Sequence, residues 1–248
     1  MEEHVSEDND QVIEGEFALV EFAQNPEPRC AVVLLLDTSG SMEGKRIAEL
    51  NAGIRSLDQA LKADPLASLR VELAVVAFGG KVRALDVRQG GKAEVPFDAN
   101  EAFVTVDAFQ PPELLAHGST PMGGAVQRGL QLVRDRKAIY KQNGIDYFRP
   151  WVFLITDGKP TDKAWQQAAA EVRDEEGKRG VTFYAVGVAG ADMDKLARFS
   201  SVRTPLKLKG LAFEELFEWL SKSLSAVSQS RPGEQTPLPP VGWADVEA

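Results

Sequence analysis

Three short stretches far apart in the chain carry oxygen-bearing side chains in a pattern suited to a small dication. They are Asp37-Thr38-Ser39-Gly40-Ser41, Gly118-Ser119-Thr120 and Thr156-Asp157-Gly158. Magnesium takes hard oxygen ligands in near-octahedral geometry and releases its waters reluctantly, so small hydroxyls can enter its shell while carboxylates bind directly or through water. In a loop leaving a strand, residues two apart can face one concavity, which would converge Asp37, Ser39 and Ser41. Thr120 would add a third hydroxyl and Asp157 a second carboxylate. Such a shell neutralises the ion and leaves a coordination position over. Because hydroxyls transfer little charge, the ion stays electrophilic, and an Asp or Glu from a protein partner is a suitable guest.

Each loop needs an element to hold it. The apolar runs Ala31 to Leu36 and Trp151 to Ile155 read as buried strands of a parallel sheet that end at Asp37 and Asp157, the edge where open α/β sheets bind ligands. Ile47, Leu50, Ile54, Leu57 and Leu61 predict a helix up to Asp64-Pro65, and Val71 to Phe78 a second strand. From Lys81 to Phe109 the alternation is weaker and predicts an edge strand with loops. A helix opens near Pro121 with Val126, Leu130, Val133 and Ile139 facing inward. Another, capped by Thr161 or Asp162, runs through Arg173. Val181 to Val188 forms a strand, and Phe213, Leu216, Phe217, Leu220, Leu224 and Val227 stripe a last helix. This alternation predicts an α/β fold with a central, mostly parallel sheet covered by helices on both faces.

Composition narrows the partners. A net charge of -9 disfavours nucleic-acid backbones and anionic membranes. Cys30 is the lone cysteine, expected as a buried free thiol compatible with a reducing compartment. The acidic start Met1-Glu2-Glu3-His4, with no long apolar segment after it, matches neither a secretory signal nor a transmembrane helix, and the expectation is a cytoplasmic protein. Residues 1–27 read as an acidic, largely disordered extension with room for a short strand over 17–22, residues 28–228 as the domain, and residues 229–248 as a Pro-rich tail whose Trp243 is exposed.

The run Val32 to Met42 around Asp37, Ser39 and Ser41, with the Thr120 and Asp157 loops in that order, resembles the metal-ion-dependent adhesion site of von Willebrand factor A domains. The resemblance covers roughly Pro28 to Val227. It implies a Rossmann-like sheet, magnesium held by Asp37, Ser39, Ser41, Thr120 and Asp157 with Mn2+ or Ca2+ as substitutes, and metal-assisted protein binding without catalysis. Phe109-Gln110-Pro111-Pro112, Pro121 to Ala125 and Trp151 to Asp162 are most similar to a bacterial tellurite-resistance branch of the family, associated with stress-response gene clusters that include a kinase and a phosphatase.

Other readings compete for the same residues. An aspartate-dependent phosphatase would use Asp37 as nucleophile, but it wants a second acid two residues on, where Ser39 stands. A phosphate loop over Gly40 to Arg46 is one residue short between its glycines and ends on arginine in place of Ser or Thr. A scaffold with a purely structural metal would bind partners elsewhere, around Trp243. Asp162 reads as the N-cap of its own helix and His117 as a solvent-facing loop residue.

Overall fold

The computed structural model of the protein describes residues 25–246. Residues 1–24, including the strand expected over 17–22, lie outside the described part. In chain order the first half comprises β1 (Cys30–Asp37), α1 (Lys45–Ala63), α2 (Pro65–Arg70), β2 (Val71–Gly79), β3 (Lys81–Leu85), β4 (Glu94–Val95), α3 (Ala99–Ala102) and β5 (Val104–Thr105). The second half comprises α4 (Met122–Gln142), β6 (Trp151–Thr156), α5 (Trp165–Gly177), β7 (Thr182–Gly187), α6 (Met193–Leu196), β8 (Leu206–Leu208), α7 (Phe213–Ser228) and β9 (Ala244–Val246).

The strands form one sheet in the order β4-β3-β2-β1-β6-β7-β8-β9, with β5 pairing β2 off that path. The five strands β2, β1, β6, β7 and β8 run parallel, and the short strands at either side are antiparallel. β1 lies between β2 and β6 and is buried on both faces, which is why it reads as a continuous apolar run. Its residues alternate between two cores. Val32, Leu34 and Leu36 join α1 and α7 on one face, while Ala31, Val33 and Leu35 join α4 and α5 on the other. Trimming one of them, as in Leu35→Ala, would cost about 2–5 kcal/mol through lost contacts and a cavity.

Because β1 and β6 are parallel neighbours with Leu36 opposite Ile155, their C-terminal ends present Asp37 and Asp157 at the same edge of the sheet. Local chemistry sets where the helices begin. Asp64 stops α1 and caps α2, accepting from the backbone N–H groups of Leu66 and Ala67 at 2.9 and 3.0 Å. Asp162 departs from expectation: its carboxylate accepts from Gly123 N and Gly124 N at 3.1 and 2.7 Å, so it caps α4, 38 residues upstream, and α5 begins only at Trp165. An N-cap needs only an oxygen near the orphan N–H groups of the first turn, and here the fold supplies one from another loop.

The C-terminal stretch also differs from expectation. Trp243 is buried, its ring packed edge-on to Trp219 at 5.7 Å, and Trp219 Nε1 donates to the Pro239 carbonyl at 2.8 Å. Beyond it β9 pairs with β8, with Leu206 opposite Val246. An apolar ring with an aromatic neighbour at hand gains more by burial than by solvent exposure, so the segment around Trp243 packs against the sheet edge, with Leu238 and Val241 partly buried beside it. Cys30 is buried and free, as expected. No helix among the described residues is long and apolar enough to cross a membrane.

Candidate metal centre

Close backbone contact brings the three loops together. After β1 the chain turns through a short 3-10 helix, Gly40–Met42. Gly40 N donates to the Gly118 carbonyl at 3.0 Å and His117 N to the Thr38 carbonyl at 2.7 Å, which pins the Thr120 loop to the Asp37 loop. Gly118 has a positive φ of 73°, and a Cβ there would stand 2.6 Å from Gly80 Cα, so only glycine permits the approach. Thr161 N donates to the Thr120 carbonyl at 2.9 Å and Thr120 N to Thr161 Oγ1 at 3.1 Å, tying that loop in turn to the one after β6.

The side chains continue the linkage. Asp37 Oδ1 accepts from Ser39 N at 2.8 Å, and Asp37 Oδ2 accepts from the Thr156 hydroxyl. Ser39 Oγ lies 3.1 Å from Ser41 Oγ, which donates to Asp157 Oδ1 at 2.7 Å. Gly158 marks where Thr120 enters: a Cβ on it would meet Thr120 Oγ1 at 3.1 Å and Asp37 Oδ2 at 3.6 Å, so those two oxygens face one small space that glycine leaves clear. All five residues singled out in the sequence therefore lie in one connected cluster. Asp37, Ser39, Thr120 and Asp157 are buried, and Ser41 is exposed at the mouth.

The oxygens fit a hard dication in kind, three hydroxyls and two carboxylates being the donor types magnesium accepts. The charge balance points the same way. Burial pushes the Asp37 carboxyl above its ordinary value, hydrogen bonds from Ser39 and Thr156 pull it down, and the Asp157 charge pushes it up again. Only neutral donors answer Asp37 among the described residues, so a cation would relieve both burial and carboxylate repulsion. No group of three or more His, Cys, Asp or Glu side chains in metal-binding array occurs among the described residues, since three of the five residues of this cluster contribute hydroxyls.

One participant escaped sequence reading. Arg46, in the first turn of α1, donates to Asp157 Oδ2 at 2.9 Å, to the Ser41 carbonyl at 2.6 Å and to the Ala189 carbonyl at 3.1 Å. It clamps the outer oxygen of Asp157 and leaves Oδ1 turned to Ser41. Nothing local in the sequence signals the link to Asp157 and Ala189, which lie 111 and 143 residues away. His117 is exposed and Asp162 is occupied as a helix cap, so neither belongs to the cluster.

Residues 31–215 match the family model for the von Willebrand factor type A domain. This chain belongs to that family. Von Willebrand factor type A domains are protein-interaction and adhesion modules, and the fold is similar to that of solved structures at low sequence identity. The pilus adhesin SpaC from Lactobacillus rhamnosus GG, in its open conformation, superposes with a TM-score of 0.57 at 14% identity over 82% of this chain and 31% of that one. The von Willebrand factor domain of the type V pili tip protein Mfa5 from Porphyromonas gingivalis gives 0.51 at 12% identity over 84% of this chain and 99% of that one. The human COPII-coat protein Sec24c gives 0.52 at 12% identity over 81% and 33%. The chain thus spans about a third of SpaC and Sec24c. No curated protein sequence matches it.

Proposed function

We propose that this von Willebrand factor type A domain is a magnesium-dependent protein-binding module that takes an Asp or Glu side chain of a partner at the cluster of Asp37, Ser39, Ser41, Thr120 and Asp157. The observation that carries the reading is the convergence of five oxygen-bearing side chains from three loops at the C-terminal edge of the sheet, with the buried Asp37 answered only by neutral donors. A bound magnesium ion would supply a Lewis-acidic centre whose remaining position a guest carboxylate can fill. Ser41, exposed at the mouth, stands where the guest arrives, and the buried Asp37, Ser39 and Thr120 keep bulk water from the inner side. Arg46 occupies the outer oxygen of Asp157 and adds positive charge beside the approaching acid.

The reading is non-enzymatic. Ser39 occupies the position where an aspartate-dependent phosphatase would need its proton-donating acid, and a hydroxyl does not serve that role near neutral pH. For the alternative of a scaffold with a purely structural metal and partners bound elsewhere, an exposed Trp243 is not the docking point, because that ring is buried against Trp219. We propose a cytoplasmic location, compatible with the free buried thiol of Cys30, and on the motif resemblance alone a role near the tellurite-resistance, TerY-like branch of the family, in stress response beside a kinase or phosphatase. Affinity capture from lysate with wild type and Asp37→Ala, each with and without chelator, tests the function. Partners retained by wild type only in magnesium support it; partners retained equally by all four samples contradict it.

A further inference from the structure

At the other edge of the sheet, where β6 and β7 begin, lies a pocket of about 520 Å³ that the metal-site reading does not use. The length of β6 puts it about 20 Å from the Asp157 loop. Buried Trp151, Thr182 and Tyr184 line it, together with three arginines, Arg149, Arg179 and Arg203. On a chain of net charge -9 this concentration of guanidinium groups calls for a reason.

Arg203 has partners in the protein. It donates to Glu176 Oε1 at 3.0 Å, and its guanidinium lies 5.2 Å over the Tyr184 ring. Arg149 and Arg179 are exposed, and among the described residues neither guanidinium has a hydrogen-bond or ion-pair partner. The three groups sense one another: partial burial and the charges of Arg203 and Arg179 hold Arg149 below its ordinary value, with Glu176 acting in the other direction. Glu234, which lines the pocket, and Glu176, which lies beside Arg203, are already engaged. Glu176 is bound by Arg203 and by the Ser200 hydroxyl at 2.6 Å, and Glu234 accepts from Arg231 N at 3.0 Å. Three cations against two such carboxylates leave the pocket positive. Thr236, on the wall supplied by the C-terminal stretch, has a buried hydroxyl without a partner.

Arg179 adds an independent sign. It is the only non-glycine among the described residues with positive φ, at 55°, in the position after a helix that glycine ordinarily fills. An arginine there bears a backbone penalty that glycine would avoid, and such strain is a reason to look for a use of the side chain.

We infer that this pocket binds a phosphate monoester, with Arg149 and Arg179 closing on its oxygens. Paired guanidinium forks match the geometry and double charge of a phosphoryl group better than those of a single carboxylate. The volume admits either a small nucleotide or a phosphorylated side chain. The test is isothermal titration of the full chain in chelator, which silences the metal site, with AMP, a phosphothreonine peptide and its unphosphorylated twin. Saturable binding of AMP or the phosphopeptide, weakened about 10-fold or more by Arg149→Ala and by Arg179→Gly, is expected, because each removes charge-assisted hydrogen bonds. Arg179→Gly should lose affinity while melting no lower than wild type, since it relieves the positive-φ backbone. The preferred probe names the source of the phosphate. Absence of saturable binding to both phosphorylated probes, or equal binding by the Arg149→Ala/Arg179→Gly double variant, overturns the inference.

Discussion

Two fully buried carboxylates sit on neighbouring strands and are treated in opposite ways. Glu72, near the start of β2, is answered from inside the protein: Arg29 Nε lies 3.1 Å from Oε1, Arg136 Nε lies 2.7 Å from Oε2, and the Tyr140 hydroxyl donates to Oε2. Asp37, at the end of β1, meets a backbone N–H and a hydroxyl, with a second carboxylate nearby. A buried charge is tolerated when paired and costly when not. The fold provides cations for Glu72 and none for Asp37 among the described residues, which is the place the proposed magnesium would fill. The Glu72 cluster is thus a closed electrostatic unit that holds the fold, whereas the Asp37 cluster, on the proposed reading, is a receptor.

Breaking the closed unit should have the largest effect. Glu72→Ala takes the carboxylate from two buried guanidinium groups, and we expect about 3–5 kcal/mol of lost stability in urea unfolding, regardless of metal. A loss below about 1 kcal/mol would erase the contrast. Asp64→Ala, which removes the cap of α2, should cost about 1 kcal/mol by the same measurement and leave magnesium binding unchanged. Arg46→Gln should tighten magnesium about two- to fivefold in calorimetry, because a partly exposed guanidinium no longer competes for Asp157 Oδ2. Weakened binding would instead make Arg46 a positioning residue for Asp157. Asp37→Ala should change metal-free stability least, by within about 1 kcal/mol, since lost hydrogen bonds are offset by removal of a buried charge.

Much of this was legible in the chain. Strands buried on both faces leave unbroken apolar runs, so β1, β2, β6 and β7 and the loops after β1 and β6 could be read directly. The helices α1, α4 and α7 follow from three- and four-residue apolar spacing. What stayed hidden depends on contacts distant in sequence. Glu72 lies within an apolar strand, and its partners Arg136 and Tyr140 are 64 and 68 residues away. Asp162 caps the start of α4, from which it is separated by α4 itself and β6, and the three-residue strands β8 and β9 are too short for a pattern. Trp243 looked exposed because its Pro-rich surroundings resemble a linker, and only the fold supplies Trp219 as its neighbour.

The most direct test of the central claim is calorimetric titration of magnesium into the metal-free protein and into Asp37→Ala, with folding of both verified by circular dichroism. The account predicts one saturable site in the wild type and none in the variant. A wild type that takes up no magnesium, or a folded Asp37→Ala that binds it equally well, would contradict it.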